Sequence, residues 1–214
     1  MAIQMSDFIN KDGFSILVNF PTKIHGVTSD ATSGYVLEKR FSTTMSVLNY
    51  LKDKTQANEE KIIQSLQLVK LKPSLYSVSL NALTLQESKK VSLALVLLLQ
   101  SKVIVCEYFF EELIYSEQEY FKRFFRNLMY KHHIAIILLE NNMNFVCETV
   151  KSFYLFTKNG KYKYIEDFYQ DEIYKYVSIP FSVELVKYLE KKGHNIDHDI
   201  TFNETLKSIY RGAV

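Results

Sequence analysis

The chain is poor in the residues that shape irregular backbone. Six glycines and three prolines serve 214 residues, where glycine alone usually supplies about 7%. That shortage counts against any site built from closely approaching backbone amides, phosphate-cradling loops above all. Tryptophan is absent. Arginine is limited to Arg40, Arg123, Arg126 and Arg211, so bidentate forks for phosphate are scarce. Neither sign of charge dominates, with 26 basic against 24 acidic side chains and a net charge of +2. This balance gives no electrostatic footprint for nucleic acid, and no nucleic-acid partner is expected. The two cysteines, Cys106 and Cys147, form no CxxC pair and sit in apolar segments. They read as buried thiols of a reducing compartment. Long hydrophobic runs are also missing. The most apolar stretch, Val91 to Cys106, is broken by Ser92, Gln100, Ser101 and Lys102, short of the ~20 residues of a membrane span. The N-terminal MAIQMSDFINKDG lacks the apolar stretch of a signal peptide. A cytosolic protein is expected, large enough to bury a core without disulfides.

What the chain does have is aromatic and apolar material, 15 tyrosines and 15 phenylalanines among 47% hydrophobic residues, set out in alternating elements. Phe14 to Phe20 and Lys23 to Val27 read as short strands flanking Pro21, followed by a polar loop from Thr28 to Ser33. Met45 to Lys52 reads as a helix. So does Asn58 to Leu71, where Asn58 can cap, Glu59 and Glu60 suit the positive end of the dipole, and Ile62, Ile63, Leu66 and Val69 share a face. A helix over Leu85 to Gln100 leads into Lys102 to Cys106, which has the pattern of a strand buried on both faces. Ser116-x-x-Glu119 reads as a capping box opening a helix lined by Phe121, Phe124, Phe125 and Leu128. His132 to Leu139 predicts a second buried strand and Met143 to Lys151 a short helix. Phe153 to Thr157 and Lys161 to Ile165, joined at Asn159-Gly160, predict a hairpin. Three helices are expected after it: Glu166 to Val177; Ser182 to Lys192, stopped by Gly193; and Phe202 to Tyr210, opened by Thr201-x-x-Glu204. Such alternation predicts an α/β domain with a largely parallel sheet and a helical C-terminal tail.

No metal site is expected. His194-x-x-x-His198 with Asp197 follows the helix stop at Gly193, so its spacing is not helical. His132 and His133, at a strand start, would point to opposite faces. Lys89-Lys90 reads as a solvated helix start, and the phenylalanine stripe as core.

The segment LTLQESKKVSLALVLLLQSKVIVCEY, Leu83 to Tyr108, is the most informative. It resembles the ATP-binding cassette (ABC) ATPases, whose pattern is L-S-G-G-Q, a basic residue and an apolar helix, then four apolar residues and Asp-Glu. With Val91 on the family's valine, Leu83-Thr84-Leu85-Gln86-Glu87 falls on the signature. Lys90 then falls on its usual Arg, and Val103 to Cys106 with Glu107 and Tyr108 on the Walker B strand. Upstream, Tyr35-Val36-Leu37-Glu38 resembles the Q-loop, Thr44-Met45-Ser46-Val47 the opening of the helical subdomain, and NEEKIIQSLQLVKLK the helix before the signature. Downstream, Ile136 to Leu139 with Glu140-Asn141 resembles the strand and switch that normally ends in His, and TKNGKYKYI the terminal hairpin. From Ile179-Pro180 through VELVKYLEKKG to TFNETLKSI the chain resembles the C-terminal extension of the ATPases of energy-coupling factor (ECF) transporters. The implied fold is a P-loop NTPase-like α/β sheet in 1–165, with a helical subdomain at about 39–90. A C-terminal helical extension, a candidate dimerisation element, would occupy 166–214.

The departures from that pattern bear on chemistry. The phosphate loop G-x-x-x-x-G-K-[ST] has only Gly26-Val-Thr-Ser-Asp-Ala31-Thr32-Ser33 as a counterpart. The 12 residues from Gly26 to Glu38 are too few for the helix of about 11 and two strands of about 5 that belong there. A deletion of the loop and its helix accounts for this better than a mutated loop. Glu107 takes the place of the Mg²⁺-holding Asp. Tyr108 takes that of the carboxylate that orients water, and a phenol of pKa near 10 is no base at pH 7. Asn141 stands for the switch His, Glu38 for the Q-loop Gln and Ile114 for the Asp of the dimer-spanning loop. Thr84 keeps a hydroxyl, while Leu85 and Gln86 replace the signature glycines.

The resemblance therefore implies a degenerate ATPase, with no ATP or Mg²⁺ bound by the isolated chain. Its expected role is a non-catalytic subunit that pairs with an intact ABC ATPase. It would dock on the transmembrane T component of an ECF-type vitamin or metal transporter, at the inner face of the cell membrane. Two alternatives stay open: a half-site in which Thr84 and Glu87 complete a partner's nucleotide site, and a soluble regulatory scaffold unconnected with transport.

Overall fold

Side chains that close a first turn fix where several helices begin. The computed structural model describes residues 5–9, 13–21, 33–37, 39–157, 159, 161–196, 198 and 202–212. The chain divides into two compact units, one of Met1–Phe14 and His25–Leu138, the other of Ser15–Ile24 and Leu139–Val214.

In the first unit, α1 (Val47–Thr55) opens on Ser46, whose Oγ accepts from the Asn49 amide. Next, α2 (Glu59–Leu68) opens on Asn58, whose side chain accepts from the Lys61 amide. Thr84 and Glu87 close a full capping box on α3 (Leu85–Leu98). Each cap satisfies an amide that the helix leaves without a partner. The buried face of α2 is Ile62, Ser65 and Leu66, and Ser65 Oγ donates to the Ala94 carbonyl at 3.1 Å, tying α2 to α3. Strand β2 (Ser33–Val36) runs parallel to β3 (Val103–Glu107), in register from Ser33 opposite Val103 to Val36 opposite Cys106. Next to β3 lies β4 (Ala135–Leu139). At Gly34 a Cβ would come within 2.3 Å of Val96 Cγ1. Only glycine lets β2 approach α3 this closely. Between β3 and β4, α4 (Tyr115–His132) buries Phe121, Phe125 and Leu128. Phe109 meets Phe121 edge to face, with centroids 4.9 Å apart, in an aromatic cluster that anchors the helix.

The second unit holds β1 (Ser15–Val18), parallel to β5 (Phe153–Phe156), and β6 (Tyr162–Ile165), antiparallel to β5 as the hairpin pattern predicts. Helix α5 (Met143–Thr149) is capped by Asn142. Toward the C-terminus, α6 (Phe181–Lys191) ends before Gly193, which has φ +88°, and α7 (Phe202–Gly212) follows.

Three expectations need correction. Ser116 does not cap α4; the helix starts at Tyr115 with Ile114 at the cap position and no side-chain cap. Glu119, the other half of the expected box, binds Lys122 at 3.1 Å. His132 and His133 do not begin a strand. His132 ends α4, His133 closes it at φ +53°, and the strand starts at Ala135. The stretch 166–177 forms no α-helix, only a 3-10 turn at Ile173–Lys175. There the Asp167 carboxylate accepts from the Tyr169 amide and the Tyr174 hydroxyl donates to the Phe168 carbonyl, local bonds that compete with helical ones. The expected strand from Lys23 to Val27 and the cap at Thr201 lie outside the described residues.

Candidate functional site

The sequence-predicted residues of the first unit gather where α3 begins and where β3 hands over to α4. Thr84 Oγ1 accepts from the Glu87 amide at 3.2 Å, and Glu87 Oε2 accepts from the Thr84 amide at 2.9 Å. The hydroxyl and the carboxylate thus serve the helix start. Leu85 and Gln86, on the first turn, are half-buried. Gln86 Nε2 donates to the Phe109 carbonyl at 3.3 Å, while its buried Oε1 has no partner among the described residues.

The two lysines that read as solvated are buried. Lys89 is 1% exposed and Lys90 8%. Lys89 Nζ donates to the Tyr108 carbonyl at 2.6 Å, and Lys90 Nζ pairs with Glu117 Oε1 at 2.7 Å. The reason lies in the helix period: Lys89 lies between Gln86 and Leu93 on a stripe that continues to Val96, and Leu93 and Val96 are core. A buried ammonium must be hydrogen-bonded, and the turn after β3 supplies the acceptor.

That turn is unusual in its backbone. Tyr108 has φ +46° and Glu112 φ +66°, values that are uncommon for residues with a side chain. Gln118, from the second turn of α4, donates to the Phe110 carbonyl at 3.4 Å and to the Leu113 carbonyl at 3.0 Å. Glu107, at the end of β3, is half-buried, as is Tyr108. Ile114 stands 67% exposed at the cap of α4, with Tyr115 beside it at 72%. Cys106, just before the turn, is fully buried. Burial pushes its thiol well above the usual range, against a smaller opposite pull from the Lys89 ammonium.

Asn141 lies in the second unit, and its Oδ1 accepts from the Asn19 amide at 2.9 Å. Asn19, at φ +54°, donates in turn from Nδ2 to the Tyr176 carbonyl at 2.9 Å. The Asn141 side chain therefore helps clasp the end of β1. Gly26 and Glu38 lie outside the described residues, as does the whole stretch 22–32. Among the described residues no group of three or more His, Cys, Asp or Glu could hold a metal ion. His198 instead pairs with Glu190 at 2.7 Å and stacks on Tyr169. No helix of the described residues is long and apolar enough to cross a membrane.

Sequence reasoning placed Thr84, Glu87, Glu107 and Tyr108 close along the chain but missed that Gln86, Lys89 and Gln118 join their segments. The signal for Lys89 was available in the i, i+4, i+7 spacing to Leu93 and Val96.

This α/β architecture is the fold of the ATP-binding cassette ATPases. Among solved structures it is similar to cbiO1 from Clostridium perfringens, part of the ABC transporter complex cbiONQ, with TM-score 0.58 at 13% identity over 86% of this chain and 87% of that one. A putative metal-chelate type ABC transporter in an inward-facing conformation matches with TM-score 0.56 at 15% identity, over 73% of this chain and 72% of that one. A dimeric ATP-binding cassette in a post-hydrolysis state with ADP and phosphate gives TM-score 0.51 at 14% identity, and the chain spans 62% of its length. No protein-family model and no curated protein matches the sequence.

Proposed function

We propose that this chain is a non-catalytic ABC ATPase-like subunit that pairs with an intact ATPase. In this reading it docks on the transmembrane component of an ECF-type uptake transporter, at the cytoplasmic face of the membrane. The observation that carries the reading is the filled junction between α3 and β3. Where a nucleotide site needs bare backbone amides and two carboxylates, this chain has Leu85, Gln86 and Tyr108, with Gln86 and Lys89 bonded to the carbonyls of the following turn. Thr84 and Glu87 are engaged with each other. Among the described residues at the end of β3, Glu107 offers one carboxylate and Tyr108 stands where the resemblance would place a second. On this reading the described residues do not fit Mg²⁺ and a triphosphate, and no hydrolytic step is assigned to them.

What remains suits an assembly role: the helical layer α1 to α3 and the C-terminal helices α6 and α7. Co-expression with an intact cassette ATPase and a candidate transmembrane component tests this. Recovery of the chain in the detergent-solubilised membrane complex is expected. A solitary monomer with every candidate would contradict the docking role. Recovery accompanied by faster ATP turnover of the partner, lost in Thr84→Ala, would favour the half-site reading instead.

A further inference from the structure

We infer that Lys89, with Gln86 and Gln118, is a built-in positioning device that holds the segment from Tyr108 to Ile114 in one conformation without a bound ligand. Three successive carbonyls, those of Tyr108, Phe109 and Phe110, accept from side chains of two different helices, and a fourth, that of Leu113, accepts from Gln118 as well. Two residues of the segment, Tyr108 and Glu112, take a left-handed φ, which costs a residue with a side chain some energy and gains from support by its surroundings. Those four bonds provide that support from the polar side. Phe109 and Phe110 provide it from the apolar side, with centroids 5.5 and 5.9 Å from that of Phe125. At 1% exposure, Lys89 brings a tethered cation to a turn whose carbonyls converge on donors. A positive charge is thereby supplied by the chain itself.

The consequence is that Ile114 and Tyr115, exposed at the far end of the held segment, are displayed in a fixed geometry whether or not nucleotide is present. Resting on the subunit role proposed above, this makes association with the partner independent of this chain's own nucleotide state.

Amide hydrogen exchange on the full isolated chain tests the device without any partner. In Lys89→Met the stem keeps its packing and the donor is lost. Exchange across 108–114 is expected to accelerate about tenfold or more relative to the amides of β4. A merely structural role would move both regions together, and equal acceleration would overturn the inference. Should Lys89→Met fail to fold, Gln118→Leu, which removes two of the four bonds from a half-buried position, is expected to give the same local effect. Unchanged exchange there would overturn it equally. In the unaltered chain, 5 mM Mg-ATP is expected to leave 108–114 unchanged, and protection of that segment by Mg-ATP would contradict a device that needs no ligand. Heat of Mg-ATP binding without any change at 108–114 would sink the proposed function while leaving the positioning device intact.

Discussion

The two ends of α3 are held by opposite means. At its C-terminal end the helix lies so close to β2 that the strand must have glycine, because a Cβ at Gly34 would fall 2.3 Å from Val96 Cγ1 and 2.7 Å from Ser101 Oγ. At its N-terminal end no glycine is present, and side chains fill the space: Gln86 and Lys89 reach the turn after β3, and Lys90 reaches Glu117. The chain thus keeps glycine where packing demands it. It has none at the start of α3, where the resemblance to the cassette signature would place two.

Breaking the packed end should cost most. Gly34→Ala forces a backbone shift or the displacement of Val96 from a dense core. A loss of about 1–3 kcal/mol is expected, read as a lower urea midpoint at unchanged slope. At the polar end, Thr84→Ala removes one partner of the capping box and should cost about 1 kcal/mol. Circular-dichroism melts of the two variants should rank them in that order; the reverse order would mean that the cap, not the close approach, secures α3. The smallest effect belongs to an exposed pair away from both ends. Lys187 hydrogen-bonds the Asp171 carboxylate and holds its pKa below the usual range. A lowered folded-state pKa contributes stability above the carboxylate's unfolded pKa, lost as pH falls through the folded one. Because the pair is exposed, Asp171→Asn should leave the melting temperature at pH 7 within experimental scatter and slightly flatten its decline in acid.

Much of the fold was legible in the sequence, for identifiable reasons. Asn58 with Glu59 and Glu60, and Thr84 with Glu87, are caps whose side chains and helix starts agree, so α2 and α3 were placed within a few residues. The strands ending at Glu107 and Leu139 were legible as compact apolar runs, and the hairpin from Phe153 to Ile165 from its turn pair. The misreadings arose where a partner outside the expected pattern took over, whether nearby on the same helix or distant in the chain. Ser116 and Glu119 have capping-box spacing, yet Glu119 is bound to Lys122. Lys89 and Lys90 look solvated by residue type, yet their acceptors, the Tyr108 carbonyl and Glu117, come from 19 and 27 residues further along the chain. A local pattern carries no record of such partners. The site was correspondingly half visible: its segments were named, while the bonds that join them were not.

The central claim is that this cassette fold does not hold nucleotide by itself, and isothermal titration of the isolated chain with Mg-ATP tests it most directly. No saturable heat is expected up to millimolar Mg-ATP. Micromolar, saturable binding would contradict the claim and return the chain to the class of nucleotide-binding cassettes.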